Sequence, residues 1–511
     1  MRWLAYGSFG AAVLLAACPK RVPEPLSPPG RLTVMHTNDL HGHYLPERAE
    51  WLPGEPSIGG FARLEQEVRG IRDRVGTDNT LLLDGGDILT GTPLTAMQEE
   101  GAKGTPMLRF MEAVGYDGWV VGNHEFDRGL DNLKLLSAKA TFAVLSANLR
   151  AKDGTTPLLP NQVFSTVFER NGLRVGVIGA TTDALKSLVS PADWGRMATL
   201  PAIDAVRAEA LRLDPATDVL IALTHIGVDD DKRLAAAVPS LDLIVGGHSH
   251  TPLKSAIQQG STYIVQAGSY TRSLGIVELD VANDQLVGFK YELRDLTPET
   301  APVLPSESLT QLADHYRENI DQVYGEVLSR APSNLQKDYH HESGLMRWIT
   351  DAIRASADTD IAVYNGGGLR AEIVSGDVTR RHLFECFPFE NAIYTFPITG
   401  EQLVGLVLGN VAADANESRS FLGISGVKWT WRMASGAPEV ASLSVGTQPV
   451  DLARTYSLAA TSYIVDQSEK FLGFRPAEPT LLGVNDFEAA VAYAREKGVY
   501  DSGEKRGQRV E

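Results

Sequence analysis

The stretch Leu32-Thr-Val-Met-His-Thr-Asn-Asp-Leu-His-Gly-His43 carries an apolar run that ends in a cluster of polar side chains. The same arrangement recurs four more times in the first half of the chain, after leucine-rich or β-branched runs. Apolar runs of this length, closed by Gly or Asp, predict buried strands whose C-terminal ends carry the polar residues. Because ligands of α/β sheets bind at those strand ends, the pattern predicts both a fold class and the place of a site.

The five polar clusters contain the residue types that bind metal ions. They are Asp39-Leu-His41, Gly86-Asp87, Gly122-Asn-His-Glu125, Thr224-His225 and Gly247-His-Ser-His250. One such cluster alone is usually a turn, and a lone His after a strand is usually a cap. The chain has only 11 His, however, and five of them lie at these predicted strand ends. We therefore interpret the clusters as one set of oxygen and nitrogen ligands for two metal ions.

The order of the clusters resembles the calcineurin-type metallophosphoesterase superfamily. Fuller motifs resemble its 5′-nucleotidase/UDP-sugar hydrolase branch, namely Thr37-Asn-Asp-Leu-His-Gly-His43 and Gly122-Asn-His-Glu-Phe-Asp127. The resemblance implies an α/β fold with an N-terminal two-sheet sandwich flanked by helices. It also implies a C-terminal α/β domain that binds the substrate.

The resemblance further implies a role for each metal ligand. Asp87 would bridge two ions, with Asp39, His41 and His250 on one and Asn123, His225 and His248 on the other. Mixed imidazole and carboxylate ligands favour Zn, Mn, Fe or Co over Ca, which prefers oxygen alone. The best-known periplasmic relatives have Gln where this chain has His250, a difference that we expect to alter metal preference and not reaction type.

His124 has a different predicted role, because Asp127 follows it by three residues. A carboxylate at that spacing can accept one ring proton and fix the tautomer, so that the other nitrogen faces the substrate. A cationic His124 would stabilise charge on the transferring phosphoryl group or donate a proton to the leaving oxygen. We predict that His124 and Asp127 are the catalytic side chains.

Length and composition predict a globular protein of two domains. The chain has 511 residues, of which 43% are hydrophobic and 22% are charged, and its net charge is −17. This acidic balance argues against a nucleic-acid polymer as partner, since phosphate backbones require a basic surface. A small nucleotide remains compatible, because metal ions and a few placed Arg neutralise it locally.

The N-terminus predicts export. Residues 1–18 combine Arg2, an apolar stretch and Leu15-Ala-Ala-Cys18, which resembles a bacterial lipoprotein signal with Cys18 as the lipid-bearing residue. An ordinary signal peptide is the alternative. Residues 19–30 contain five Pro and predict an extended tether. We expect a lipid anchor in the cell envelope as the sole membrane contact, and Cys386 as a core residue without a disulfide.

Three further segments follow the tether. We predict a catalytic domain over 31–296, a polar link with a helix over 297–324, and a second domain over 325–511. Within the first domain the pattern predicts helices at 61–74 and 202–213. The apolar runs 263–267 and 275–279 are predicted to continue its sheet.

The second domain resembles the nucleotidase C-terminal domain through Asn365-Gly-Gly-Gly-Leu-Arg370 and Pro388-Phe-Glu-Asn391. The resemblance implies that Arg370 anchors phosphate or ribose, that Phe389 stacks on the base and that Asn391 binds the base edge. Tyr463 would be the second stacking ring. The family's Gly-Gly-Asp-Gly-Phe turn is absent here, so that Glu469 or Asp466 would replace its Asp. Two Arg of relatives are also absent, and Lys337 is the nearest candidate.

We therefore predict a secreted, dinuclear metal-dependent hydrolase that acts on nucleoside 5′-monophosphates and on UDP-sugars. The altered base site leaves a 2′,3′-cyclic nucleotide phosphodiesterase with 3′-nucleotidase activity as an alternative. A sulfur-oxidation thiosulfohydrolase of the same architecture is a further alternative. A non-enzymatic surface binding lipoprotein would require lost metal ligands, and the sequence retains them all.

Overall fold

The computed structural model describes residues 30–49, 53–298, 305–417, 419–434 and 436–510. Cys18, the predicted signal peptide 1–18 and residues 19–29 of the predicted tether lie outside the described residues. Within the described ranges, no helix combines the length and the apolar composition needed to cross a membrane.

Two β-sheets form the centre of the N-terminal half. The first has seven strands in the spatial order Gln162–Val163, Ala143–Leu145, Gly118–Val120, Thr80–Asp84, Gly30–Thr37, Ser273–Val281 and Leu286–Asp295. The second has six, in the order Ser165–Arg170, Leu173–Thr181, Val219–His225, Leu243–Val245, Thr262–Val265 and Ile257–Gln259.

The sheets pack face to face because their central strands are apolar on both faces. In the strand Gly30–Thr37, Leu32 and Val34 pack between the two sheets, whereas Met35 packs on the opposite face, among the helices. The strand Val219–His225 alternates in the same way between the inner core and the outer helical layer. Strands buried on both sides read as continuous apolar runs, which is why the sequence showed them clearly.

Helices cover both outer faces. Those on the first sheet are Phe61–Val75, Thr105–Val114, Leu130–Ser137 and Glu307–Tyr324, and those on the second are Ala202–Leu213 and Val228–Ala237. Small elements complete this half, namely the helix Pro191–Trp194 and the strand pairs Glu47–Arg48 with Ser57–Ile58, Gln98–Glu99 with Ala102–Lys103, and Leu149–Ala151 with Met197–Thr199. The predicted two-sheet sandwich flanked by helices is confirmed.

The prediction that 263–267 and 275–279 continue one sheet was wrong. Thr262–Val265 pairs in parallel with Leu243–Val245 in the second sheet, whereas Ser273–Val281 pairs antiparallel with Gly30–Thr37 in the first. The intervening turn contains Tyr270 and Thr271 at φ 64° and 56°. This turn carries the chain from one sheet to the other, and apolar runs alone do not reveal such a change.

The C-terminal half is built on a five-stranded sheet, in the order Leu422–Ser425, Ile361–Asn365, Thr455–Thr461, Ala392–Thr399 and Thr480–Asn485. A second sheet contains Gln448–Pro449, Ala437–Val445, Val427–Ala434 and Gly507–Arg509, and Val327–Ala331 pairs with Gly376–Thr379. The helices are Gly344–Ala357, Arg380–Cys386, Gly400–Asn416, Ser462–Asp466, Ser468–Phe471 and Asp486–Lys497. Cys386 is a fully buried free thiol in this core.

The helix Glu307–Tyr324 joins the two halves. Leu309, Tyr316 and Ile320 on one side of it belong to the core beneath the first sheet. Tyr324, its last residue, packs against the cores of both halves. The helix therefore packs with the first half and delivers the chain to the second, and the boundaries at 296 and 325 stay a prediction.

Candidate metal centre and interdomain cavity

The five polar clusters meet although they come from two different sheets. Three follow strands of the first sheet and two follow strands of the second. The His225 Nδ1 donates to the Gly85 carbonyl oxygen at 2.7 Å, which joins the two carboxyl edges directly. The sandwich thus places all five clusters at one end of the domain.

Three groups of side chains have ligand atoms that all lie within 4.8 Å of one another. They are Asp39 with His41 and His250, Asp87 with His225 and His248, and His41 with Asp87 and His124. Asn123 adjoins the second group, since its Oδ1 lies 3.3 Å from the His225 Nε2. The structure therefore brings all seven predicted ligands together.

Asp87 lies where the first two groups meet. Its Oδ2 is 3.0 Å from the His225 Nε2 and 4.0 Å from the His41 Nε2. The His250 Nε2 is 3.2 Å from both the Asp39 Oδ1 and the His41 Nε2. Imidazole nitrogens that face each other and two carboxylates in a buried site fit divalent ions.

Hydrogen bonds and burial keep two of these imidazoles in the form that binds metals. The His41 Nδ1 donates to the carbonyls of Leu89 and Thr90 at 3.0 and 2.8 Å, which leaves Nε2 as the ligand atom. Burial lowers the pKa of His41 well below its ordinary value and that of His248 to about 4. Neutral imidazole is the ligand state of His.

His225 responds differently because it adjoins a carboxylate. Burial opposes its protonation, but the neighbouring Asp87 outweighs burial and raises the pKa of His225 to about 10. This pair therefore attracts a positive charge, which a divalent ion would supply.

Several residues of the site have the left-handed backbone conformation that residues other than glycine rarely adopt. Asp39, His41, Asp87, His248 and His250 have φ values of 52°, 48°, 58°, 76° and 53°. Each left-handed non-glycine residue costs about 1–3 kcal/mol, and such residues concentrate at functional sites. Five of the seven predicted ligands share this feature, so the turns are shaped to aim side chains inward.

Gln266 supports the loop that carries His248 and His250, and our sequence interpretation missed it. Its Nε2 donates to the Gly247 carbonyl at 3.0 Å, and its Oε1 accepts from the Ser249 hydroxyl at 3.0 Å and from the Thr251 N–H at 2.5 Å. Gln266 is a polar residue directly after an apolar strand. The rule that identified the ligands would have identified it too.

Glu125 supports the turn that carries Asp87. Its buried carboxylate accepts backbone N–H groups from Gly122, Asp87, Ile88 and Leu89 at 2.6, 3.1, 2.8 and 3.3 Å. This residue lies in the quoted Gly122-Asn-His-Glu125 motif, but its type and spacing gave no sign of this role. Four backbone bonds to one side chain fix the position of the Asp87 backbone.

His124 and Asp127 form the predicted pair at the edge of the metal groups. Both lie on the short 3₁₀ helix His124–Arg128, and the His124 Nδ1 is 2.6 Å from the Asp127 Oδ2. The other ring nitrogen, Nε2, lies 4.0 Å from the Asp87 Oδ2. Burial opposes protonation, but Asp127 and Asp87 together raise the pKa of His124. The ring is therefore held in one orientation and disposed to carry a proton.

A cavity of about 600 Å³ connects the metal groups with the second half of the chain. Asp87, His124, Arg370, Phe389 and Tyr463 all line it. The Phe389 ring lies 5.8 Å from the His124 ring, and the Arg370 Cζ lies 5.8 Å from the Phe389 ring centre. Within the described part of the chain, the Arg370 guanidinium has no carboxylate partner and lines the cavity, which leaves it available to an anion.

Three other predicted substrate residues differ in their placement. Asn391 lines the cavity, where its Nδ2 donates to Asp486 at 3.2 Å and its Oδ1 accepts from the Ser462 hydroxyl at 3.4 Å. Tyr463 lines the cavity and packs on Phe471. Glu469 is exposed and bonds Arg475 at 3.0 Å, apart from the cavity, whereas the alternative residue Asp466 lines it.

Two family models match the chain in sequence order. Residues 32–252 match the calcineurin-like phosphoesterases, and residues 323–474 match the 5′-nucleotidase C-terminal domain. The first match contains every candidate metal ligand, and the second contains Arg370, Phe389 and Tyr463.

Whole-length relatives show the same combination. Protein UshA of Yersinia enterocolitica is 28% identical over 486 residues, which cover 84% of each chain. A 5′-nucleotidase of Vibrio vulnificus is 28% identical over 482 residues, covering 85% of this chain and 84% of the relative. The crystal structure of a 5′-nucleotidase precursor from Thermus thermophilus has a TM-score of 0.81 and 27% identity, and covers 94% of this chain and 99% of that one. The chain therefore belongs to the calcineurin-like phosphoesterases that carry a 5′-nucleotidase C-terminal domain, and it is a metal-dependent phosphoester hydrolase.

Proposed function

We propose that this protein is an exported 5′-nucleotidase that hydrolyses nucleoside 5′-monophosphates, and also UDP-sugars, with two divalent ions. One observation carries the proposal, namely that the metal groups and the aromatic residues of the second domain line the same cavity of about 600 Å³. A nucleotide has a phosphate at one end and a planar base at the other, which matches these two walls.

The ligand sets follow the geometry described above. Asp39, His41 and His250 would hold one ion, Asn123, His225 and His248 the other, and Asp87 would contact both. Zn, Mn, Co and Fe suit this donor set. When bound, two such ions neutralise the phosphate and lower the pKa of water so that it can attack phosphorus.

The protein's own side chains would then orient and polarise the ester. The His124 Nε2 would donate to the phosphoryl or leaving oxygen while Asp127 holds its Nδ1, 2.6 Å away. Arg370 would bind phosphate or ribose oxygens through its guanidinium. Phe389 and Tyr463 would stack on the base and the Asn391 oxygen would accept from its edge, with Asp466 better placed than Glu469 to assist.

Export rests on the N-terminal sequence. Arg2, the apolar stretch and the small residues before Cys18 support a signal of the lipoprotein type, with residues 19–30 as tether. We propose that this anchor is the only membrane contact and that the partner is a small nucleotide and not a nucleic-acid polymer. Metabolic labelling with a radioactive fatty acid should mark the wild type and not a Cys18→Ser variant.

A 2′,3′-cyclic nucleotide phosphodiesterase with 3′-nucleotidase activity is the second candidate. Two observations favour it over a strict 5′-nucleotidase. The Asn391 amide donates to Asp486, and Glu469 lies away from the cavity. Both reduce the number of specific contacts to a base.

A substrate panel separates these functions. Protein treated with a chelator and then supplied with Mn, Co or Zn would be assayed on 5′-AMP, 5′-UMP, 3′-AMP, 2′,3′-cyclic AMP, UDP-glucose and a thiosulfonate. We expect kcat/KM for the 5′-monophosphates to exceed that for every other compound. A preference for the cyclic compound would establish the second candidate, and a preference for the thiosulfonate would refute both.

A further inference from the structure

A partly buried ion pair joins the two domains beside the cavity. The Arg128 Nη1 donates to the Glu390 Oε2 at 2.5 Å, and its Nη2 donates to the Pro388 carbonyl at 3.0 Å. Only 6% of the Arg128 side chain is exposed. One guanidinium of the first domain thus holds two oxygens of the second domain.

The two ends of this pair lie next to the proposed chemistry. Arg128 is the last residue of the 3₁₀ helix His124–Arg128, directly after Asp127. Glu390 lies between Phe389 and Asn391 in the sequence. The pair therefore connects the helix that carries His124 with the loop that carries the base-facing ring.

The local structure indicates that the contact fixes a position and does not merely add stability. Burial of a guanidinium is costly and is offset only by good hydrogen bonds, yet among the described residues the Arg128 Nε is buried without a partner. Glu390 is also held at φ 53°, in the left-handed region. Both features cost free energy locally. They occur where the helix that carries His124 meets the loop that carries Phe389.

We propose that the Arg128–Glu390 contact is a positioning element that sets the distance between the His124–Asp127 pair and the Phe389 ring. The inference rests on the proposed nucleotidase function for its kinetic consequence. A substrate that spans both surfaces depends on the contact, whereas a small ester that reaches only the metal groups and His124 does not.

A double-mutant cycle tests the proposal. Arg128→Met, Glu390→Met and the double variant would be assayed on 5′-AMP and on p-nitrophenyl phosphate. We expect each single variant to raise KM for 5′-AMP by about tenfold, the double variant to be no worse than the worse single one, and kcat/KM for p-nitrophenyl phosphate to stay within about twofold. Arg128→Lys, which keeps one donor, should recover part of the loss.

Two controls complete the design. Arg207→Met removes an ion pair of similar length, 2.6 Å, with Asp204 on the solvent-facing side of the helix Ala202–Leu213, and should change the kinetics on neither substrate. Thermal unfolding identifies any variant that fails to fold. KM effects that multiply in the double variant, or equal losses on both substrates, would overturn the positioning role.

A second measurement does not depend on the substrate. Small-angle X-ray scattering of the wild type and the double variant should show a larger radius of gyration in the variant, because the domains separate more often. If the wild type hydrolyses no nucleotide, the proposed function fails. The radius of gyration still shows whether the Arg128–Glu390 contact holds the two domains together. An unchanged scattering profile would refute the contact as an element that positions the domains.

Discussion

Asp87 is the residue on which the two-ion interpretation depends most. Its Oδ2 lies within 4.0 Å of the Nε2 atoms of His41 and His124 and 3.0 Å from that of His225. Asp87→Asn keeps the shape of the side chain but removes the charge that two cations would share. We expect loss of at least one ion by elemental analysis and of almost all activity. The exposed Asp204→Asn is the control, and full occupancy with a near-normal rate in Asp87→Asn would contradict the ligand scheme.

His124 should affect turnover without affecting metal content. His124→Ala removes a donor aimed at the phosphoryl group, and such groups contribute roughly 10²–10⁴-fold to rate. We expect kcat to fall by that factor while both ions remain bound. Asp127→Asn should show a smaller defect, because Asp127 only orients the ring. Loss of an ion from His124→Ala would instead make His124 a ligand, in the group that it forms with His41 and Asp87.

Phe389 tests the division of labour between the domains. Stacking of a base on an aromatic ring is worth about 1–3 kcal/mol, so Phe389→Ala should raise KM for nucleotides by roughly one to two orders of magnitude. Hydrolysis of p-nitrophenyl phosphate should change little, and Phe389→Tyr should behave like the wild type on both substrates. Equal losses on nucleotide and small ester would show that the ring only packs against His124.

The site residues that could be predicted share one physical signal. A polar residue that follows a buried strand lies at the carboxyl edge of the sheet, and this placed Asp39, Asp87 and His225 together. Arg128 and Glu390 gave no such signal, because a long-range ion pair leaves no local pattern. Glu469 and Asp466 were equivalent by sequence, and only the turn between two short helices directs one of them into the cavity.

At the scale of elements, the strand Gly30–Thr37 contains an unusual core residue. His36 is fully buried opposite Gly275 of the neighbouring strand, where a Cβ would come within 1.9 Å of its Nε2. In the described part of the chain neither ring nitrogen has a hydrogen-bond partner. Burial lowers the pKa of His36 to about 3.

This pKa shift predicts sensitivity to acid. The unfolded chain binds a proton at His36 near pH 6.5 and the folded chain only near pH 3, so stability is lost as the pH falls below 6.5. By pH 5 the loss from this residue should reach about 2 kcal/mol. His36→Phe keeps a planar ring and removes the titratable group. Between pH 7.5 and pH 5 we expect its free energy of unfolding to fall by about 2 kcal/mol less than that of the wild type, measured by urea unfolding.

The measurement needs protein stripped with a chelator, since protonation of the metal ligands would otherwise add its own pH dependence. The buried ligands His41 and His248 contribute equally to both proteins and cancel in the difference. His315→Phe, at an exposed position of the helix Glu307–Tyr324, is the matched control. Identical pH slopes for wild type and His36→Phe would contradict the prediction.

Element bounds were predictable where periodicity is long. The helices predicted at 61–74 and 202–213 are observed at Phe61–Val75 and Ala202–Leu213. The assignment of strands to sheets was not predictable, as Ser273–Val281 shows, because apolar runs in a four-layer sandwich look alike in either sheet. Which sheet a strand joins is decided by its hydrogen-bond partner and not by its own composition.

At the scale of the whole molecule, the two domains make one cavity. The candidate metal ligands lie between residues 39 and 250, and the proposed base site lies beyond residue 369, so a substrate must touch both domains. We expect the second domain to rotate about the helix Glu307–Tyr324, because Tyr324 at its end packs against the cores of both halves. If reopening releases the products, it can limit kcat.

A reversible covalent bridge across the domain contact tests this motion. Arg128→Cys with Glu390→Cys, in a Cys18→Ser background, would be joined by a short bifunctional thiosulfonate, while the buried Cys386 stays unreacted. We expect the bridged protein to lose multiple turnover and to recover on addition of a reducing agent to the rate of the unbridged double variant. Each single Cys variant treated with the same reagent controls for modification alone. Full turnover in the bridged protein would mean that substrate enters and product leaves without separation of the domains, and the linking helix would then be a rigid spacer.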